Sequence, residues 1–132
     1  MNYVSLDMNY VVSNDGFFTF FDLVQLCVQY PDHIFKFIGT NYSPCTIISW
    51  RGSYDLPAIL ATEQDTVGSD IRDMIYKELN EIREGYKGGE YKYNLHDEFY
   101  VTIDYSAASE HAVDGYHVDG NIVWLNTNIN PY

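Results

Sequence analysis

Cysteine, basic residues and long apolar runs are all scarce in this chain of 132 residues. Its two cysteines, Cys27 and Cys45, are too few for the disulfide framework of a small secreted domain. The longest apolar run, residues 17–28, is interrupted by Asp22 and Gln25 and is shorter than the ~20 residues that span a bilayer. No secretory signal pattern opens the sequence. These absences predict reduced thiols and a location in the cytoplasm.

Positive charge is not only scarce but confined to the middle of the chain. Seven basic residues face nineteen acidic ones, which gives a formal net charge of −12. All seven lie between Lys36 and Lys92, so residues 1–35 and 93–132 carry no lysine or arginine. Such a field repels nucleic acid and anionic membranes, and it attracts basic surfaces and metal cations. Solubility alone is the simpler reading of the same charge.

Apolar and aromatic residues, in contrast, are plentiful. Hydrophobic residues make up 46% of the chain, which is enough for the core of one domain, and we expect a single domain over residues 1–132. Thirteen tyrosines raise the aromatic share to 17%. Tyrosine packs well in strands and also lines binding surfaces, so this enrichment has both a structural and a functional interpretation.

Residues 66–84 give the clearest pattern in the sequence, that of an amphipathic helix. Thr66 is the predicted N-cap and Gly85 the predicted stop. Apolar residues recur between them at helical spacing. They are Val67, Ile71, Met74, Ile75, Leu79 and Ile82.

The remaining pattern predicts a second helix and several strands. Residues 17–29 favour a helix that ends by Tyr30, ahead of Pro31. Residues 34–38 and 46–50 read as strands that pair as neighbours, and residues 51–57 as an irregular loop. Further strands are predicted at residues 1–12, 90–93, 99–105, 112–118 and 121–126, with a hairpin turn at residues 119–120. The predicted fold class is α+β, with an antiparallel or mixed sheet of five to seven strands and two helices packed on one face.

Charged residues of the long helix suggest a surface for a basic partner. Positions that step by three or four form one stripe on a helix. These are Asp70, Asp73, Lys77, Glu81 and Glu84. With Asp97 and Glu98 from the acidic C-terminal third, the stripe is a candidate surface for the lysines and arginines of a nucleic-acid-binding protein. A solvated helix face is the alternative interpretation.

A second candidate site combines two segments rich in tyrosine and basic residues. Trp50, Arg51 and Tyr54 are residue types that often dominate binding energy, and they fall in a predicted loop. Tyr86 and Lys87 precede the Gly-Gly pair at residues 88–89, whose backbone N–H groups are candidates for binding an anion. Arg51 either holds a ligand phosphate or carboxylate, or forms an internal ion pair.

Catalytic and metal-binding patterns are not found. The C-terminal third is rich in possible metal ligands: His96, Asp97, Glu98, Asp104, Glu110, His111, Asp114 and His117. None has the spacing of a zinc site, and no nucleotide fingerprint, phosphate loop or nucleophile elbow occurs. We therefore expect a protein without a metal or cofactor, more consistent with binding than with catalysis.

Three segments taken together resemble one group of proteins. They are Trp50-Arg51-Gly52-Ser53-Tyr54, Thr66-Val67-Gly68 and Gly85-Tyr86-Lys87-Gly88-Gly89-Glu90-Tyr91. In this order they resemble short, mostly uncharacterised proteins encoded by tailed bacteriophages. The resemblance covers the middle third of the chain and implies a phage origin, a host bacterial cytoplasm and no known reaction.

Two main hypotheses follow. The first is an acidic phage protein that inhibits a host nucleic-acid-binding or defence protein by mimicking nucleic-acid charge, without binding nucleic acid or membrane itself. The second is a small-molecule binder or enzyme for an anionic ligand or nucleotide, with its pocket between the 50–54 loop and the 86–91 turn. An accessory virion component is a third possibility.

Overall fold

The computed structural model describes residues 18–50, 53–85, 88–103 and 112–127, without the side chains of residues 50, 53–56 and 103. The predicted strand at residues 1–12 lies outside these ranges. The described elements are α1 (Phe20–Gln29), β1 (Ile34–Phe37), β2 (Ser43–Trp50), β3 (Ser53–Thr62), β4 (Thr66–Val67), α2 (Gly68–Asn80), β5 (Arg83–Glu84), β6 (Glu90–Tyr91), β7 (Tyr100–Ile103), β8 (Val113–Asp119) and β9 (Ile122–Thr127).

The α+β class is confirmed, but the predicted single sheet is wrong. The described strands form three sheets, with the orders β4-β1-β9-β8, β2-β3-β7 and β5-β6. The two larger sheets are mixed, because β1 pairs with β9 and β3 pairs with β7 in parallel while their other pairings are antiparallel. The predicted β8–β9 hairpin is confirmed, with its turn at Gly120, whose φ of 62° is easy for glycine.

Helix α1 confirms the helix predicted within residues 17–29, but it begins at Phe20, after Thr19 as its N-cap. Thr19 and Asp22 form a capping box: the Asp22 N–H donates to the Thr19 hydroxyl at 3.2 Å, and the Thr19 N–H donates to the Asp22 carboxylate at 2.9 Å. Two otherwise unsatisfied N–H groups are thereby bonded. The helix ends at Gln29, just before Tyr30 and Pro31, as predicted.

Helix α2 exists as predicted, but Thr66 is not its N-cap. Thr66 is a residue of β4, opposite Phe35, and its hydroxyl donates to the Pro44 carbonyl at 2.8 Å. The first turn of α2 instead uses backbone partners from the α1–β1 connection. Gly68 donates to the His33 carbonyl at 3.0 Å, and the next N–H, of Ser69, donates to a neighbouring carbonyl at 2.9 Å. The helix is thus started by tertiary contact rather than by a side-chain cap.

The predicted C-terminal end of α2 is also wrong. The helix stops at Asn80, and Glu81 follows with an extended ψ of 134°. Arg83 and Glu84 then form β5, so Gly85 does not end a helix. Ile82 was expected in the core but is 61% exposed.

Two further predictions fail at the start of the second sheet. Residues 53–57 are the first half of β3, which forms a hairpin with β2, and are not an irregular loop. β1 does not pair with β2; it lies between β4 and β9. The connection through Pro57 is compatible with a strand because Pro57 precedes the segment 58–61 that pairs with β7, so it has a strand neighbour on one side only.

The core joins the helices to both larger sheets. Phe20 of α1 stacks on Phe99 with ring centroids 4.9 Å apart. Buried residues of α1, α2, β1, β2, β3, β7, β8 and β9 belong to one apolar cluster. Burial strongly raises the pKa of the Cys27 thiol, which therefore stays protonated and inert at neutral pH.

Candidate functional site

Most of the predicted ligand-binding residues lie beyond what the structure describes. Arg51, Tyr86 and Lys87 are outside the described residues. Trp50 ends β2 and Tyr54 belongs to β3, but their side chains are also outside the description. Their described neighbours nevertheless show how the two segments are related.

A cluster of hydroxyl groups joins Ser49, the residue before Trp50, to Tyr91 and Tyr93. Ser49, next to Trp50, has its Oγ 2.7 Å from the Tyr91 hydroxyl and 2.7 Å from the Tyr93 hydroxyl. The rings of Tyr91 and Tyr93 meet edge to face at 5.4 Å. The end of β2 is therefore tied to β6 and to Tyr93.

Arg83 forms the other half of this cluster, and no sequence pattern predicted its role. One guanidinium nitrogen donates to the Glu78 carboxylate at 2.8 Å and lies 3.4 Å from the Ile47 carbonyl. The guanidinium carbon lies 5.2 Å from the ring centroid of Tyr93, a cation–π distance. Only tertiary structure could reveal this group, because its contacts join three separate parts of the sequence.

The chemistry of the cluster is that of a structural tie. Burial raises the pKa of Tyr93 to about 12, outweighing the opposing effect of its hydrogen bond to Ser49. Tyr93 is therefore a neutral phenol at physiological pH and not a base. The charge of Arg83 is matched by Glu78 at 2.8 Å. We assign no catalytic role to these groups.

The opposite face of the β5–β6 hairpin points to solvent. Arg83 pairs with Tyr91 and Glu84 pairs with Glu90. Alternation along a strand directs the first pair inward and the second outward. Both glutamates are exposed, and cross-strand partners have Cβ atoms only about 4.5–5.5 Å apart. Like charges placed opposite each other in this way destabilise a sheet.

Ile82 and Lys92 extend this outer face by one position on each strand. Both are exposed. Together with Glu90 and Tyr91 they line a shallow, open depression of ≈ 290 Å³. We call the four outward residues Ile82, Glu84, Glu90 and Lys92 the hairpin face.

The predicted acidic stripe is not a single helix face. Asp70 and Asp73 lie in α2, but Glu81 follows the helix and Glu84 lies in β5. The prediction failed because the apolar period appeared to continue through Ile82. Asp73 also accepts from the Arg72 guanidinium at 3.0 Å, so part of its charge is compensated.

Asp97 and Glu98 lie elsewhere, beside the start of α1. The Asp97 carboxylate accepts from the Asn94 N–H at 2.9 Å, and its backbone carbonyl accepts from the Phe20 N–H at 3.1 Å. Glu98 forms an isolated bridge with Thr19. The six proposed partner-binding residues therefore belong to α2, to residues 81–90 and to the segment between β6 and β7 that lies beside the N-terminus of α1.

The described cations leave little positive charge at the surface. Lys36 is buried and is held by the Asp65 carboxylate at 3.0 Å and the Asn41 side chain at 2.6 Å. Arg72 and Arg83 are paired with carboxylates and are not fully exposed. Among the described side chains, eleven exposed carboxylates face two exposed lysines.

Neither an anion nest nor a metal site emerges from the described residues. Gly88 and Gly89 have positive φ, as expected of a turn, but the Gly88 N–H donates to the Gly85 carbonyl at 3.0 Å within that turn. Over the described ranges no three His, Cys, Asp or Glu side chains gather as a metal site. Asp104, Glu110 and His111 fall outside those ranges.

No described helix is long and apolar enough to cross a membrane. Comparison of the chain with protein-family models, curated proteins and solved structures gives no match. The resemblance to phage proteins thus stays a prediction.

Proposed function

We propose that this protein is a non-enzymatic binding protein whose acidic surface occupies the basic, nucleic-acid-binding site of another protein. On the phage resemblance, that partner is a host enzyme or defence protein. The observation that carries the proposal is the balance of exposed charge: eleven carboxylates against two lysines among the described side chains. A surface with this balance draws in basic partners by long-range attraction.

The burial and pairing of cations support this proposal over simple solubility. Lys36, Arg72 and Arg83 each lie against a carboxylate, at 3.0, 3.0 and 2.8 Å. Lys36 and Arg83 thus form ion pairs within the fold, whereas Glu84 and Glu90 of the hairpin face are exposed and form no ion pair with another described side chain. Among the described side chains the exposed charge is therefore predominantly negative.

A capture experiment tests the proposal. The tagged protein is incubated with bacterial lysate, and bound proteins are identified by mass spectrometry. We expect a basic, nucleic-acid-binding protein that is released by duplex DNA. Recovery of partners that DNA does not displace, or of no partner, would contradict the proposal.

One observation favours a second candidate function, the binding of a small anionic ligand. The Ser49 Oγ lies 2.7 Å from the hydroxyls of Tyr91 and Tyr93, and Arg51 and Lys87 are close in sequence to these residues. A thermal-shift screen with nucleotides and phosphate tests it, because a ligand specific for the folded state raises the melting temperature. Arg51→Ala should abolish that shift without unfolding the protein; an unchanged melting temperature with every ligand would exclude this function.

A further inference from the structure

We propose that the hairpin face is the docking surface for an arginine-bearing segment of the basic partner. This inference rests on the proposed function and adds where the partner is gripped. Its basis is a depression of ≈ 290 Å³ lined by Ile82, Glu90, Tyr91 and Lys92, with Glu84 directly opposite Glu90 on the neighbouring strand.

The two glutamates supply the charge complementarity. Glu84 and Glu90 face each other across the β5–β6 pair, and the structure shows no ion pair from either to another described side chain. Their repulsion is a cost in the free protein. An incoming guanidinium removes that cost and forms charge-assisted hydrogen bonds with both carboxylates.

Ile82 supplies the apolar contact. Ile82 is 61% exposed, whereas the large aliphatic residues Ile71, Ile75 and Leu79 of α2 are buried. Tyr91 also contributes to the lining of this depression, and its hydroxyl lies 2.7 Å from the Ser49 Oγ on the inner side of the hairpin. The methylene stem of an arginine packs on an exposed apolar side chain such as Ile82.

The positive charge of Lys92 indicates how the partner's arginine side chain is oriented on the hairpin face. It lines the depression together with Ile82, beyond the glutamate pair. The arginine head is therefore expected at the Glu84–Glu90 end, with the stem directed toward Ile82. Arginine is preferred to lysine because its fork contacts two carboxylates at once.

The test measures the binding of a fluorescein-labelled oligoarginine peptide by fluorescence anisotropy. The double variant Glu84→Gln/Glu90→Gln is compared with Asp70→Asn/Asp73→Asn, which removes the same charge from α2. We expect the hairpin variant to weaken binding by about 10-fold or more and the α2 variant by less than about 3-fold. Ile82→Ser, which leaves the charge unchanged, should weaken binding by about 3-fold or more.

The outcomes separate the two proposals. Equal weakening by both double variants overturns the hairpin site but agrees with a diffuse acidic surface. Absence of binding by the native protein removes both. An oligolysine peptide that binds as tightly as oligoarginine also contradicts the arginine-specific site. Thermal melting checks folding, and the hairpin variant should melt no lower than the native protein because it relieves repulsion.

Discussion

Gly68 is the residue on which the contact between the two helices depends. A Cβ at this position would lie within contact distance of the Tyr30 carbonyl oxygen, 2.9 Å from the Cys27 carbonyl oxygen and 3.1 Å from the Phe35 ring. Two of these neighbours are backbone atoms that cannot rotate away. The sequence indicated a helix start near this glycine but gave no reason for it; the reason is the close approach of α1.

We predict that Gly68→Ala lowers the free energy of unfolding by about 2–3 kcal/mol, because the methyl group forces α1 and α2 apart. Ser69→Ala, one position later, is the matched control and should change it by less than about 0.5 kcal/mol. Urea denaturation followed by circular dichroism measures both. A Gly68→Ala variant as stable as the native protein would show that the helix contact is looser than described.

Ionisation of Tyr93 makes the free energy of unfolding depend on pH in the alkaline range. Its pKa is raised from about 10 in the unfolded chain to about 12 in the fold. The neutral phenol is favoured by folding, so its contribution to stability is complete below pH ~10 and is lost as the pH rises toward 12.

We therefore predict that the native protein loses stability between pH ~10 and ~12 more steeply than Tyr93→Phe does. Urea denaturation at several pH values measures the two slopes. In parallel, the difference in phenolate absorbance between the two proteins should titrate near pH 12. An absorbance difference that titrates near pH 10, the ordinary pKa of tyrosine, would contradict the buried environment of Tyr93.

At the level of elements, hydroxyl contacts and an ion pair attach the described residues of the β5–β6 hairpin to β2 and α2. Ser49 bonds the Tyr91 and Tyr93 hydroxyls at 2.7 Å each, and Arg83 bonds Glu78 at 2.8 Å. We predict that Ser49→Ala, which removes both hydroxyl contacts, increases amide hydrogen exchange in residues 82–93 while the exchange of α1 stays unchanged. Faster exchange throughout the protein, or unchanged exchange in residues 82–93, would show that Ser49 does not hold the hairpin locally. Ser69→Ala again serves as control.

The sequence predicted elements better than their arrangement. Periodicity correctly indicated α1, α2, β1, β7 and the β8–β9 hairpin, because each has its own apolar pattern or turn. It missed β3, since Pro57 and the polar residues around it read as a loop. The parallel pairings of β1 with β9 and β3 with β7 join distant segments, which local patterns do not encode.

The candidate site shows the same division. The predicted pocket between segments 50–54 and 86–91 stays a prediction, and the structure adds that Ser49, the residue before Trp50, contacts Tyr91. Arg83, Tyr93 and the outward glutamate pair were missed as a unit, because the helix was extended through Glu84. Once β5 is recognised, the alternation of Ile82, Arg83 and Glu84 between outside and inside follows directly.

For the whole molecule, we propose that the acidic residues contribute to binding in two ways: long-range attraction from the whole surface and a specific contact at the hairpin face. The exposed carboxylates occur on α2, on the hairpin and in several loops, so attraction over distance comes from the net charge of −12. We assign specific binding of the partner to the hairpin face, where acidic and apolar side chains lie next to each other. We therefore propose that the protein combines mimicry of nucleic-acid charge with a defined contact at the hairpin face.

The most direct test of this claim is the salt dependence of binding to the captured partner, measured with and without competing duplex DNA. We predict that the binding constant falls steeply between about 50 and 200 mM salt, as it does when cations on a protein release their counterions, and that DNA and this protein exclude each other. A binding constant that is insensitive to salt, or a ternary complex with DNA, would contradict the account.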